Sequence, residues 1–341
     1  MAINSKKHTQ DLAARLLAYL EHFKSSTILV AGDLIADEFL YGQIARVSRE
    51  APVLVLEHRQ LVRLPGGGAN AANNLLDLGC RVKLIAAVGP DDAGKNLVRI
   101  LARKGADVDD VPVLKSYETP VKTRILAGAH HSAPQQIVRV DRIPKPQTTL
   151  DLPLKCLSSG QVSPDAIIVS DYGYGAISHQ FLDGLKDYAT RRKIPIMVDS
   201  RFRMAEFRQV TGITPNITEL EAAVRRSIGA DERLLRRVGQ TVLRKQGLTY
   251  LLVTQGRFGM TLFQRNRAPL HIPIFGSDEV ADVTGAGDTV IAVFTLALTC
   301  GATAEEAARL ANYAGGIVVM KRGTATVTRE ELSAAVKEDL I

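Results

Sequence analysis

Five short apolar segments, separated by stretches with helical periodicity, constrain the fold of this chain more than any other feature. They occupy residues 28–31, 82–88, 166–170, 196–199 and 250–254, and most of them end at Gly, Asp, Ser or Thr. Short buried strands that alternate with helices are typical of a parallel sheet covered on both faces. We therefore predict an α/β fold in which ligands bind beyond the carboxyl ends of the strands.

Two segments, residues 38–64 and 117–142, break this alternation. They contain period-two stretches, such as residues 53–56 and 137–140, with charged residues between them. This pattern is typical of exposed antiparallel strands. We predict a small projecting sheet that serves as a lid over the site or as a dimer contact.

The rest of the chain contains no long polar linker and no internal repeat, so residues 27–341 are predicted to form one domain. Leu12, Leu16, Leu20 and Phe23 recur at helical spacing. They predict an amphipathic helix in an N-terminal extension, residues 1–26, that packs on the domain or on a partner subunit.

Composition restricts the partners of this chain of 341 residues. It has a net charge of +7, but its basic residues are scattered and it contains no Trp, so nucleic acid is not predicted as a partner. No apolar run approaches the roughly 20 residues that span a bilayer, so no membrane partner is predicted. Cys80, Cys156 and Cys300 form no Cys-x-x-Cys pair. This spacing favours a reducing, cytoplasmic location over a disulfide scaffold or a zinc site.

Residues 282–288 read Asp-Val-Thr-Gly-Ala-Gly-Asp and lead directly into an apolar stretch. Gly285, Ala286 and Gly287 allow backbone N–H groups to converge at a helix N-terminus, which is a favourable site for an anion. Asp288 falls in the first helical turn, where it could accept a proton from an attacking hydroxyl. The pattern favours phosphoryl transfer to an alcohol, although Gly-Ala-Gly also occurs as a tight αβ connection.

Two further loops contain groups that suit a sugar. Asp33 and Asp37 follow the first strand, and Gly66, Gly67 and Asn70 open a helix rich in Ala and Asn. Carboxylates accept hydrogen bonds from hydroxyl groups, and glycines allow close approach of the backbone. The glycine run is also compatible with a plain flexible turn.

With the segments 214–219 and 254–259 following in order, the chain resembles the ribokinase (PfkB) family of carbohydrate kinases from about residue 28 to residue 327. The resemblance implies a ribokinase-like three-layer α/β/α sandwich with a mainly parallel sheet and a small projecting β lid. Some segments are similar to the kinase module of bacterial ADP-heptose synthesis proteins, which phosphorylate D-glycero-β-D-manno-heptose 7-phosphate at the anomeric hydroxyl. These segments are residues 32–41, 46–53, 170–172, 282–291 and 321–327.

The resemblance implies a role for each matching residue. Asp288 would be the general base, and the amides of Gly285, Ala286 and Gly287 would form the anion hole. The sugar would contact Asp33, Asp37, Gly66, Gly67 and Asn70. ATP would contact Asn216, Ile217, Thr218, Glu219, Thr254, Gly256, Gly259 and Asn312. Asn216 and Glu219 would hold Mg²⁺ through water, and Asp282 and Thr284 would offer backbone oxygens to a monovalent cation such as K⁺.

A phosphorylated acceptor would need cations at the end of the sugar remote from the base. Lys122, Arg124 and Arg139 alternate along the lid segments, which the resemblance places over the sugar, and we expect them to contact this phosphate. The alternative for each is a charged lid face in solvent. The resemblance also implies a homodimer formed through the lid.

The chain departs from the heptose kinase pattern at two places. Asp-Ser-Arg stands at residues 199–201 where Asp-Pro-Lys is usual, and residues 171–175 read Asp-Tyr-Gly-Tyr-Gly where Asp-Tyr-x-Lys-Gly is usual. The sugar is therefore left open, and a kinase for another sugar or a nucleoside is the alternative. A non-catalytic descendant would be expected to lose Asp288 or the glycine turn. A dinucleotide-dependent oxidoreductase would need Gly-x-Gly-x-x-Gly after the first strand, where Gly-Asp-Leu-Ile-Ala-Asp stands.

Overall fold

The computed structural model describes residues 2–128, 134–145, 149–154, 157, 163–276 and 281–341. Cys156 and residues 129–133 of the second predicted lid segment lie outside the described residues. The strands of the described residues are β1 (Thr27–Gly32), β2 (Leu34–Val47), β3 (Leu54–Gly67), β4 (Arg81–Ile85), β5 (Asp107–Asp110), β6 (Val121–Gly128), β7 (Gln135–Arg142), β8 (Ala166–Asp171), β9 (Ile196–Ser200), β10 (Gly212–Ile213), β11 (Tyr250–Thr254), β12 (Met260–Gln264) and β13 (Leu270–Ile272).

The main sheet contains nine of these strands in the spatial order β13-β12-β11-β10-β9-β8-β1-β4-β5. The seven strands from β11 to β5 pair in parallel, and β12 and β13 add an antiparallel edge. All five apolar segments predicted from the sequence contribute a strand to this sheet. Because the parallel strands end at one edge, the loops after β1, β8, β9 and β11 lie along the same side of the molecule.

Helices cover both faces of the main sheet. They are α1 (Ala2–His22), α2 (Gly68–Asp77), α3 (Asp92–Arg103), α4 (His179–Arg192), α5 (Ile217–Val224), α6 (Glu232–Lys245), α7 (Ala286–Thr299), α8 (Ala304–Val319) and α9 (Arg329–Leu340). Alternate residues of β1 separate two cores: Ile28 and Val30 face one, and Leu29 and Ala31 face the other. This is the predicted three-layer α/β/α arrangement.

Helix α7 is buried on all sides, since every residue from 288 to 297 is buried. It packs against α8 and α2. A helix that is apolar all round belongs in a core, so the glycine turn before it is held firmly at the end of a buried element.

A second sheet of four strands, in the order β3-β2-β6-β7, forms the projecting lid. The outer pairs are antiparallel, but β2 and β6 pair in parallel, from Ala36↔Val121 to Gln43↔Gly128. The sequence prediction of antiparallel strands is therefore wrong for this central pair. Strands β2 and β6 belong to two separate segments of the chain, and both strands run away from the main sheet in the same direction.

The N-terminal helix α1 packs on α9, and its residues Leu16 and Leu20 are buried in the main core. Arg15 pairs with Glu306 at the start of α8. Among the described residues, no helix combines the length and the apolar character that crossing a bilayer requires.

Candidate functional site

Asp288 lies in the first turn of α7 and is only 3% exposed. Its Oδ2 accepts a hydrogen bond from Asn70 Nδ2 at 3.0 Å, and its Oδ1 accepts one from the Tyr172 hydroxyl at 3.1 Å. Asn70 also donates to the Gly285 carbonyl at 3.2 Å. Gly285 precedes the helix with φ +80°, a left-handed conformation that suits glycine. A Cβ at Gly285 would lie 2.4 Å from Asn70 Nδ2, so the close approach also requires glycine.

Burial raises the pKa of the Asp288 carboxyl to about 7. The hydrogen bonds from Asn70 and Tyr172 oppose this rise, the negative charge of Asp37 adds to it, and the positive charge of Lys122 opposes it. A carboxyl group that titrates near neutral pH is matched to proton transfer at that pH. Asp288 can therefore act as a general base with a substantial driving force.

A cavity of about 410 Å³ opens beside this carboxylate. Its lining includes most of the predicted nucleotide residues, namely Asn216, Glu219, Thr254, Gly256, Gly259 and Asn312, and the predicted anion hole of Gly285, Ala286 and Gly287. Ile217 and Thr218 are not among its lining residues. The first turn of α7 thus meets the loops after β10 and β11 in one space of a size suited to a small ligand.

Two of these residues, Gly259 and Asn312, also shape the wall of the cavity. Gly259 has φ +79°, and a Cβ there would lie 2.1 Å from the Ile272 carbonyl oxygen, so the turn needs glycine. Asn312 donates from Nδ2 to the Pro273 carbonyl at 2.8 Å. The Asn312 side chain is thereby fixed in the wall of the cavity.

The Asn-x-x-Glu segment forms the N-terminal capping box of α5. Asn216 Oδ1 accepts from the Glu219 amide, and Glu219 Oε2 accepts from the Asn216 amide, each at 2.9 Å. The other oxygen of Glu219, Oε1, lies 3.8 Å from Arg201 Nη1. The cap therefore fixes one carboxylate oxygen and leaves the other directed toward the cavity region.

Asp199, at the end of β9, is a site residue that sequence reasoning did not select. It lines the cavity, and burial together with the charges of Glu219 and Asp288 raises its pKa well above the usual range. Burial also raises the pKa of Glu219. Two partly buried carboxylates beside one cavity are suited to a divalent cation with oxygen ligands. Among the described residues, no group of three or more His, Cys, Asp or Glu side chains converges on a metal position.

Asp37 is a second buried carboxylate, and its charge acts on Asp288. Its Oδ1 accepts from Arg124 Nη1 at 2.6 Å, and its Oδ2 accepts from the Thr324 hydroxyl at 2.8 Å. A Cβ at Gly66 would lie 2.4 Å from Asp37 Oδ2. Gly67 has φ +56° and immediately precedes α2, which carries Asn70. The structure thus brings Asp37, Gly66, Gly67 and Asn70 together next to the base.

Asp33 is bonded to the loop that follows β8. It is 1% exposed, and its carboxylate accepts hydrogen bonds from the amides of Tyr172, Tyr174 and Ala176 at 2.8, 3.1 and 3.0 Å. The direct contact between Asp33 and the sugar stays a prediction. Asp33 holds the loop after β8 in place.

The three lid cations, Lys122, Arg124 and Arg139, lie on one face of the sheet but in different environments. Arg124 is buried, paired with Asp37 and stacked 5.2 Å from the Phe39 ring centroid. Arg139 forms two hydrogen bonds to Asp141 at 2.8 and 3.0 Å and is half exposed.

Lys122 differs from both, because within the described part of the chain its ammonium has no ion pair at 4.0 Å or less. Its Nζ lies 4.6 Å from the centroid of the Tyr172 ring. Burial lowers the pKa of Lys122, while the charges of Asp37 and Asp288 oppose that change. Of the three cations, Lys122 is the most available to a ligand anion.

Both oxygens of the Asp282 carboxylate are occupied. Oδ1 accepts from the Thr284 amide at 2.9 Å, and Oδ2 accepts from the Gly323 amide at 3.0 Å. Asp282 therefore ties the glycine turn to the 320s loop. The backbone oxygens of Asp282 and Thr284, which the resemblance assigns to a monovalent cation, belong to this same turn.

Known proteins resemble this chain in sequence and in fold. The family model described as "pfkB family carbohydrate kinase" matches residues 34–331. "Bifunctional protein HldE" of Geobacter metallireducens is 42% identical over 316 residues, which cover 91% of this chain and 63% of that protein. The protein of the same name from Salmonella dublin is 38% identical over 320 residues, or 93% of this chain and 65% of that protein. The chain thus spans less than two thirds of the length of these relatives.

Solved structures share the fold. Arabidopsis thaliana ribokinase, complexed with ribose and ATP, has a TM-score of 0.72 at 19% identity, covering 92% of this chain and 98% of that one. Escherichia coli phosphofructokinase-2, in complex with potassium, gives 0.72 at 18% identity with the same coverage. The ribokinase-like fold expected from the sequence is confirmed. The extent of the family match, together with relatives near 40% identity across nine tenths of the chain, shows that this protein belongs to the pfkB family of carbohydrate kinases.

Proposed function

We propose that this protein transfers the γ-phosphoryl group of ATP to the anomeric hydroxyl of D-glycero-β-D-manno-heptose 7-phosphate, giving the 1,7-bisphosphate. The observation that carries the proposal is the position of Asp288, a buried carboxylate with a pKa near neutral, between a nucleotide-sized cavity and the Asp37–Asn70 cluster. The HldE name of the relatives supports this class of acceptor. The proposal concerns the kinase reaction alone, because the chain spans only part of those relatives.

Different residues would carry out different parts of this reaction. Asp288 would accept the proton of the attacking hydroxyl, and the amides of Gly285, Ala286 and Gly287 would stabilise the charge on the transferred group. Mg²⁺, held through water by Glu219 with Asp199 close by, would supply charge neutralisation on the phosphates. Asp37 and Asn70 would orient the sugar.

A phosphate on the acceptor is supported by Lys122. A partly buried ammonium that lacks an ion pair among the described residues would be stabilised by a dianion. Arg124 and Arg139 support the same phosphate less directly, because each already has a carboxylate partner. We assign Lys122 as the principal phosphate contact and Arg124 as the group that fixes Asp37.

A kinase for another sugar is the second candidate. Tyr174 and Arg201 stand where the heptose kinase pattern has lysines, and Arg201 lines the cavity. An arginine presents a planar group with several donors in place of a point charge, which would alter recognition of phosphates. This difference affects the identity of the acceptor more than the phosphoryl transfer itself.

We further propose a homodimer formed through the lid and a monovalent cation, such as K⁺, beside residues 282–284. Strand β7 is exposed along its whole length and presents Ile137, Val138 and Val140 at 44%, 46% and 49% exposure. An exposed apolar strand of this kind is suited to contact with a second chain. The carboxylate contacts of Asp282 support a shaped loop for the cation.

The test is a panel of acceptors offered to the purified protein with ATP and Mg²⁺. We expect heptose 7-phosphate to give the highest kcat/KM, and unphosphorylated heptose, fructose 6-phosphate, ribose and a nucleoside to be much poorer acceptors. Unphosphorylated sugars turned over as efficiently as heptose 7-phosphate would contradict the phosphate-bearing acceptor and favour the second candidate.

A further inference from the structure

The loop after β8 places one aromatic side chain against the proposed base. Tyr172 donates its hydroxyl to Asp288 Oδ1 at 3.1 Å, while its ring lies beneath Lys122 Nζ at 4.6 Å. One residue therefore contacts both the carboxylate that would take the proton and the cation assigned to the acceptor phosphate. Among the described residues, no other side chain makes a hydrogen bond or a ring contact to both groups.

The hydroxyl of Tyr172 keeps its proton at this position and donates it to the ionised Asp288 carboxylate. Burial, and the charge of Asp288, raise the pKa of the phenol well above its usual range, so the group stays neutral. An ionised carboxylate is acceptor-only, whereas a protonated one is a poorer acceptor. The Tyr172 hydroxyl thus favours the ionised form of Asp288, which is the form able to accept a proton.

The Asp33 carboxylate holds the loop after β8 in place. The Asp33 carboxylate binds the amides of Tyr172, Tyr174 and Ala176, so the backbone folds around one buried group. Gly173 and Gly175 have φ +74° and +104°, conformations that allow the tight path. The hydrogen bonds between this loop and the buried Asp33 carboxylate therefore help to set the position of the Tyr172 ring.

We infer that Tyr172 is a positioning residue: its hydroxyl orients the Asp288 carboxylate and favours the ionised form, through a loop that Asp33 anchors. With Asn70 on Oδ2 and Tyr172 on Oδ1, each carboxylate oxygen has one protein donor and keeps lone pairs for the acceptor hydroxyl. This inference rests on the proposed role of Asp288 as base, and it adds a residue whose hydroxyl acts through the Asp288 carboxylate.

Other charged groups also face Asp288 and would contribute to its titration. They are Asp37 on β2, Lys122 on β6 and Asp199 on β9. Tyr172→Phe removes only the hydroxyl, since the ring remains for Lys122 and the backbone amide remains for Asp33. Tyr174→Phe is the matched control, because Tyr174 stacks on Tyr172 at 6.5 Å between ring centroids and has no hydrogen bond to Asp288 among the described contacts.

Kinetics give the first measurement, using whichever acceptor the panel shows to be turned over. For Tyr172→Phe we expect kcat to fall about tenfold or more, as for a hydrogen bond to a charged group. The KM for ATP should be unchanged, and the acidic limb of the pH profile should move up by about one unit. Tyr174→Phe should leave the limb in place. A limb that stays at the wild-type pH in Tyr172→Phe would overturn the inference, because a merely structural role changes rate and not the titration.

A second measurement does not depend on any acceptor. The ¹³C resonance of the Asp288 carboxyl, identified by its loss in Asp288→Asn, can be titrated in protein labelled at the aspartate carboxyl carbons. We expect its pKa to rise in Tyr172→Phe and to stay unchanged in Tyr174→Phe. An unchanged pKa in Tyr172→Phe would overturn the inference about Tyr172. A raised pKa in a protein that phosphorylates no sugar would support it while the proposed function fails.

Discussion

Asn70 donates its side-chain amide to the Asp288 carboxylate at 3.0 Å, although the two residues lie 218 positions apart in the sequence. Asn70 lies in the first turn of the helix after the lid strand β3, and Asp288 lies in the first turn of the core helix α7. The contact therefore joins the starts of these two helices. It also depends on Gly285, whose lack of a side chain leaves room for the Asn70 amide.

Asp288→Asn should lower kcat by about 10²- to 10⁴-fold, the usual contribution of a positioned general base. Nucleotide binding should persist, because the cavity and the glycine turn are unchanged. Steady-state kinetics and calorimetric titration with an ATP analogue measure the two properties separately. Activity within a few-fold of the wild type would exclude Asp288 from the mechanism.

The same substitution should change how stability depends on pH. The pKa of Asp288 rises from 3.8 to about 7 on folding, so folded Asp288 binds more protons than unfolded Asp288 between these values. The contribution of Asp288 to stability therefore falls as pH increases from about 4 to 7, a loss that Asp288→Asn avoids. We expect the mutant to gain about 1 to 3 kcal/mol relative to wild type between pH 5 and pH 8.

Urea unfolding of both proteins at the two pH values is the measurement. Asp109→Asn, at an exposed position, is the control and should show no such pH-dependent gain. A constant difference between Asp288→Asn and wild type would mean that Asp288 is ionised in the folded protein at both pH values.

Glu219→Gln should raise the Mg²⁺ concentration needed for half-maximal rate more than it raises the KM for the sugar. The amide oxygen of Gln can still accept from the Asn216 amide, so the capping box and the start of α5 should persist. Only the carboxylate charge near Asp199 is lost. Magnesium titrations at saturating sugar provide the test.

Glu306→Gln is a matched control for this variant, because Glu306 completes the capping box of α8 and does not line the cavity. It should leave the magnesium requirement unchanged. If Glu219→Gln and wild type showed the same magnesium dependence, the Asn-x-x-Glu segment would serve only as a helix cap.

The three lid cations should respond differently to truncation. Lys122→Ala should raise the KM of a phosphorylated acceptor about tenfold or more, as expected for loss of a charge-assisted contact. Arg139→Ala should have little effect, because Arg139 is half exposed and bonded to Asp141. Arg124→Ala leaves the buried Asp37 carboxylate without its cation, so it should cost about 3 to 5 kcal/mol of stability.

Acceptor kinetics and thermal unfolding of the three variants separate these effects, and ATP binding serves as the internal control. If all three variants keep the wild-type KM for the acceptor, the phosphorylated acceptor is excluded and a general sugar kinase is favoured.

Gly285→Ala should lower kcat strongly, because its Cβ would lie 2.4 Å from Asn70 Nδ2 and displace the donor from Asp288. Gly301→Ala is the matched control: it has a similar φ of +86°, and nothing lies within 4 Å of the added Cβ. Both variants should lose about 1 kcal/mol of stability from the left-handed backbone, but only Gly285→Ala should lose activity. Equal kcat values in the two variants would contradict the role of this close approach.

Local patterns determined a large part of this protein. The five apolar segments became strands of the main sheet, and the acid-flanked glycine turn opened the buried helix α7, because burial and turn chemistry act between near neighbours. The order of motifs along the chain was sufficient to indicate the family. The lid strands were also expected, although the parallel pairing of β2 with β6 was not.

Only the tertiary structure decided which polar groups meet. Asp33 and Asp37 are similar in sequence context, yet one binds three backbone amides and the other pairs with Arg124. Asp199 and Tyr172 gained their positions beside Asp288 because the parallel strands β8 and β9 end at the same edge of the sheet. Contacts of this kind depend on strand order and on burial, and no local pattern in the sequence specifies either one.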